Sequence, residues 1–110
     1  MIKAKLTRLD SEAHLLHKRT KYEGYINSVP KIPYRFTLFG LRSELLNDSD
    51  FRPSAITYTD GYMAMVETSD VVETLKISDR AVTFKDISGR IYKLELLGEE
   101  TFNGPRINIP

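Results

Sequence analysis

The chain has 110 residues, 41% hydrophobic and 28% charged, with no cysteine and a net charge of +1. That is the size of one domain, 1–110, able to bury roughly two-thirds of its unfolded surface without staples. The missing cysteines exclude a disulfide framework, a thiolate metal site and a cysteine nucleophile, and no run approaches the roughly 18 apolar residues of a membrane span.

The near-zero charge hides an asymmetry. Residues 1–42 carry nine Lys/Arg against three acids, whereas residues 43–110 carry seven against twelve. Such a split is the compositional hint of a partner, although strands from the two halves can interleave on folding.

Ile2, Ala4 and Leu6 alternate with Lys3, Lys5 and Thr7, which predicts a half-buried strand with a basic outer face. This start lacks the apolar core of a secretion signal, so the expected location is cytoplasmic. Residues 10–18 fit either a two-turn helix capped by Asp10 or Ser11 or a turn followed by a strand. Lys21 to Val29 reads as a strand interrupted at Gly24, where a bulge or a close backbone approach is expected. Pro30 and Pro33 bracket a loop, since each removes a ladder donor. Tyr34, Phe36 and Leu38 are then expected to point inward from a strand whose other face carries Arg35, Thr37 and Phe39.

Gly40 is expected to end that strand. Leu41, Leu45 and Leu46 at helical spacing predict a short helix over about 41–47, stopped by Asn47-Asp48-Ser49-Asp50. From Ser54 to Leu97 the pattern is a continuous antiparallel meander of five strands. Asp60-Gly61 suits a two-residue type I′ turn, pairing Tyr58 with Met63 and Ile56 with Met65 on one face. Leu75 and Ile77 alternate with polar residues, and a loop at Ser78-Asp79-Arg80-Ala81 sets Ile77 opposite Val82. A three-residue loop, Ile87-Ser88-Gly89, with glycine in the left-handed position pairs Phe84 with Tyr92 and Val82 with Leu94. After Gly98, Ile107 and Ile109 mark a short edge strand or a frayed end. The expected class is all-β: a small antiparallel barrel or sandwich of about seven to eight strands with one short helix. No segment carries a motif that names a family.

The chemistry-bearing residues are sparse. His14 and His17 lie three apart but are one or two ligands short of a zinc site. Asp48 and Asp50 resemble the start of a calcium loop, yet the sixth position is Pro53 and the twelfth Thr59, so the pattern fails. Asp79 and Asp86 sit in turns, where aspartate bonds nearby backbone, and Glu99-Glu100 is a solvated pair. No phosphate loop, nucleophile elbow or histidine-centred triad is present. Met63 and Met65 read as core filling. The expectation is therefore no enzyme, no metal and no cofactor.

The first functional reading is a protein-interaction domain: a subunit, adaptor or inhibitor, of the kind a phage or mobile element encodes, using sheet edges or the segment carrying Leu45, Leu46 and Phe51. The charge split would steer docking or self-association. The alternative is a nucleic-acid-binding barrel in which Lys3, Lys5, Lys21 and Arg35 hold phosphates and Tyr22 stacks on bases. Against it stands the plain reading that lysines solvate strand exteriors while tyrosines fill the core. A third reading is a small-ligand carrier, for which 110 residues make a tight interior.

Overall fold

A computed structural model describes residues 2–9, 21–41, 56–58 and 63–102, and every regular element among them is a strand. In chain order these are β1 (Ile2–Arg8), β2 (Lys21–Ile26), β3 (Arg35–Leu41), β4 (Ile56–Tyr58), β5 (Met63–Ile77), β6 (Ala81–Asp86) and β7 (Ile91–Leu96). They form one antiparallel sheet ordered β3-β2-β1-β7-β6-β5-β4, and β3 also pairs with β5. Six strands thereby close a barrel, and β4 lies outside the ring on β5. The choice between barrel and sandwich falls to the barrel, with six strands in the ring and seven in all among the described residues.

Period-two alternation fills the interior. Ala4 and Leu6 of β1, Tyr22 and Ile26 of β2, and Phe36 and Leu38 of β3 are buried, as are Val82 and Phe84 of β6 and Tyr92, Leu94 and Leu96 of β7. Their sequence neighbours face water, so a one-residue slip would turn each strand inside out. Phe36 meets Phe84 edge-on, with centroids 5.6 Å apart, and Phe84 stacks on Tyr92 at 5.5 Å. Three rings from β3, β6 and β7 thus lock the middle of the barrel.

The final hairpin forms as its residues predict. Phe84 pairs with Tyr92 and Val82 with Leu94, and Gly89 takes a φ of +89°, a left-handed conformation that favours glycine. Ile77 pairs with Val82. At Gly24 the close approach is real: a Cβ there would collide with the carbonyl oxygen of Phe39 on β3.

Three expectations are corrected. The second and third strands of the expected five-strand meander, those carrying Met63 and Leu75, are one strand, β5, of 15 residues. The intervening Thr68-Ser69-Asp70 is a corner rather than a loop, because side chains substitute for ladder bonds there. Thr68 Oγ1 accepts the Phe36 amide at 3.0 Å and donates to the Ser69 carbonyl at 2.7 Å. The opposite edge of the corner is held by Asp86, whose carboxylate accepts the Ser69 amide.

Second, the β4–β5 register is one residue away from that of a two-residue turn: Tyr58 pairs with Ala64 and Thr57 with Met65. Ala64 and Val66 face inward and Met65 is only half-buried. Pairing with β3 sets this choice, since Gly40 opposes Ala64 and Leu38 opposes Val66, and small side chains fit where strands cross closely. Interior volume overrides the greater hydrophobicity of methionine.

Third, Tyr34 precedes β3 and is exposed, although its carbonyl accepts the Val71 amide. Leu41, the expected first residue of a helix, is the last of β3. The rest of that helix, residues 10–18 and the Ile107–Ile109 end lie outside the described residues.

Candidate interaction surfaces

The peptide joining Asp70 to Val71 is where the ring closes. Its amide, on Val71, donates to Tyr34 at 2.9 Å on one edge, and its carbonyl, on Asp70, accepts the Ile87 amide at 2.8 Å on the other. Beyond this point β5 continues to Ile77, bonded to β6 on one side only. Among the described residues its other edge has no ladder partner from residue 72 to 77. Val72, Leu75 and Ile77 are all exposed here, Ile77 to 64%. Two register shifts against β6, between Val71 and Glu73 and between Thr74 and Lys76, turn this stretch out of strict alternation. Leu75 and Ile77, which alternate with polar residues along the chain, lie past the point where β3 covers β5.

The barrel exterior is ordered into cross-strand rows. One runs Leu97, Lys3, Tyr25, Phe39 and Met65, and is mostly apolar. The next alternates charge: Glu23, Lys5, Glu95. The third runs Lys21, Thr7, Lys93, Thr83 and Lys76 across β2, β1, β7, β6 and β5.

These registers disperse the expected nucleic-acid set. Tyr22 is buried among core side chains, so its ring packs the interior instead of facing a base. Arg35 binds Glu67 at 3.0 Å and lies 3.9 Å from Asp70, both on β5. Lys5 lies 3.9 Å from Glu95 on β7. Acids of the second half thus neutralise bases of the first, because β3 closes on β5 and β1 pairs with β7. Lys3 and Lys21 are exposed but belong to different rows. Leu45, Leu46 and Phe51, expected to contact a protein, lie outside the described residues, as do His14 and His17.

Among the described residues Asp86 is the buried carboxylate. It accepts the amides of Ser69 (3.2 Å), Ser88 (3.0 Å) and Arg90 (3.1 Å) and the Ser88 hydroxyl (2.6 Å). With its oxygens so occupied, it serves as a backbone anchor, the turn role its position suggests. Tyr92 has its phenol pushed above the usual value by burial first and by the Asp86 charge second, with Arg90 opposing. No group of three or more His, Asp or Glu suited to a metal occurs among the described residues, and no helix among them is long and apolar enough to cross a membrane. No protein-family model, curated protein or solved structure matches the chain, so these surfaces alone carry the functional reading.

Proposed function

We propose that the protein is a non-enzymatic binding module whose partner is another protein, taken up as an added strand along the free edge of β5. The carrying observation is that β5 runs past the closure point with no ladder partner on one edge among the described residues and with Val72, Leu75 and Ile77 exposed. Strand addition satisfies that backbone with main-chain hydrogen bonds and draws its specificity from alternate side chains. An exposed apolar edge is otherwise an aggregation liability, one that folded proteins cover or blunt with charge. Glu73 and Lys76 flank the apolar residues, so the fitting partner is an extended segment bearing apolar side chains and charges of both signs.

The test is a photo-crosslinking amino acid placed at Leu75, with one at Lys31 as control, in cells of the native host. A single dominant adduct at Leu75, lost when Val72→Lys and Ile77→Lys are added, is the expected result. An empty Leu75 lane, or an adduct indifferent to those substitutions, refutes strand addition at this edge. Both substituted side chains are exposed, so the fold survives the change.

A further inference from the structure

We infer that the row Lys21, Thr7, Lys93, Thr83, Lys76 is a docking surface for the phosphate backbone of duplex nucleic acid. The row is built by register alone. Thr7 opposes Lys21 and Lys93, and Thr83 opposes Lys93 and Lys76. Lysine and threonine therefore alternate across five strands, along a path of about 19 Å on the curved barrel wall at about 4.8 Å per strand. All five residues point away from the core: Lys21 and Lys76 are exposed, and Thr7, Lys93 and Thr83 are half-buried. No acid lies in the row. Lys76, Lys85 and Lys93 make no ion pair among the described residues. Lys85, one row further on opposite Ile91 and Glu73, extends the basic surface. Of the nearest acids, Glu95 is approached by Lys5 at 3.9 Å, and Glu23 and Glu73 stand in the adjoining rows.

Composition decides the occupant. Protein interfaces are depleted in lysine at their centres and enriched in aromatic residues, and this row has no aromatic residue at all. Lysine ammonium and threonine hydroxyl groups are, by contrast, standard donors to phosphate oxygens. A strand-separated nucleic acid would want aromatic platforms for its bases. The exposed Tyr25 lies in the apolar row, separated from this one by Glu23, Lys5 and Glu95. A surface with phosphate donors and no base platform suits a duplex held without sequence preference. The signal is invisible along the chain, because Lys93, Lys76 and Lys85 belong to its acidic half.

The test is fluorescence anisotropy with a short labelled duplex of scrambled sequence. Binding is expected at about 50 mM salt. Contacts by Lys76, Lys85 and Lys93 give a slope of log K against log salt near −2.7, or about a 40-fold loss between about 50 and 200 mM. Lys76→Glu with Lys93→Glu should weaken binding by at least tenfold, and Lys76→Gln with Lys93→Gln by less. Lys3→Glu with Lys31→Glu, the same charge change elsewhere, should leave most of the affinity.

Unaltered thermal unfolding of each variant keeps the comparison fair. No binding at about 50 mM salt overturns the proposal, as does an equal loss in the Lys3/Lys31 variant. Tighter binding to a single strand that is lost in Tyr25→Ala overturns it too, by moving the site to the apolar row. So does binding to anionic vesicles in preference to the duplex. Strand addition at the β5 edge is tested separately, and either result can fail while the other stands.

Discussion

The Asp86 carboxylate accepts the Ser69 amide at 3.2 Å, tying the tip of the β6–β7 hairpin to the corner of β5. This bond joins the two most irregular points of the barrel. β5 must bend at Thr68-Ser69-Asp70 to serve β3 on one edge and β6 on the other. The hairpin must turn through a left-handed glycine. One buried side chain satisfies donors on both.

Replacing Asp86 with alanine removes the acceptor of the Ser69, Ser88 and Arg90 amides, of which those of Ser69 and Arg90 are only partly open to water. Each unsatisfied buried donor costs on the order of 1–3 kcal/mol, and local relaxation recovers part of the sum. We expect a loss of about 3 kcal/mol in urea unfolding. Asp86→Asn, which keeps one acceptor, should lose less. A loss below about 1 kcal/mol for the alanine variant would show that the corner holds without its anchor.

The glycines at 24 and 89 should respond differently to alanine. At Gly24 the added Cβ meets the backbone of Phe39 and the Leu38 side chain, so β2 and β3 must separate. About 2–4 kcal/mol is expected, in the range of core overpacking. Hydrogen exchange should accelerate at Tyr25 and Phe39 before the rest of the ring. Around Gly89 nothing lies within 4 Å of an added Cβ, so its cost is conformational alone, about 1 kcal/mol, and Gly89→Asn should cost less. Equal losses at the two sites would contradict this account.

Phe84 is fully buried between Phe36 and Tyr92. Its truncation to alanine should cost about 3–5 kcal/mol, and Phe84→Leu about 1–2 kcal/mol, since volume is largely kept. Arg35→Ala offers the contrast. Its pairs with Glu67 and Asp70 are exposed, and such pairs contribute about 0–1 kcal/mol. Denaturant midpoints for the three variants should separate in that order.

Legibility along the chain followed how local the controlling contact is. The β6–β7 hairpin was readable because loop length, Gly89 and alternation all act within a few residues. The β1 alternation was readable for the same reason, and Gly24 was readable because a glycine inside a strand pattern marks a close approach whatever its partner. The β4–β5 register was not, because Gly40 and Leu38 on β3 decide which residues of β5 face inward. Nor was the continuity of β5: Thr68-Ser69-Asp70 reads as a break until Phe36 and Asp86 supply its missing bonds. The interaction surfaces were least legible. Counting charge by halves places the basic surface on Lys3, Lys5, Lys21 and Arg35, but pairing of β1 with β7 and of β3 with β5 brings acids beside Lys5 and Arg35. Successive pairing of β2, β1, β7, β6 and β5 aligns Lys21, Lys93 and Lys76, which lie far apart in sequence.

Tyr92 links the core to alkaline stability. Burial, then the Asp86 charge, raises its phenol above the ordinary tyrosine value. In the unfolded chain the phenol ionises near pH 10, whereas in the barrel it keeps its proton to higher pH. The unfolded state thus binds fewer protons in that window, and stability falls as pH rises. The Tyr92 contribution is whole below pH 10 and lost as pH climbs through the folded-state value. Unfolding midpoints measured from neutral pH upward should show this decline, and Tyr92→Phe should flatten it. In a phenolate absorbance titration of the folded protein, that substitution should remove a late-ionising member of the six tyrosines. If wild type and Tyr92→Phe decline in parallel, the phenol is not held neutral by the core.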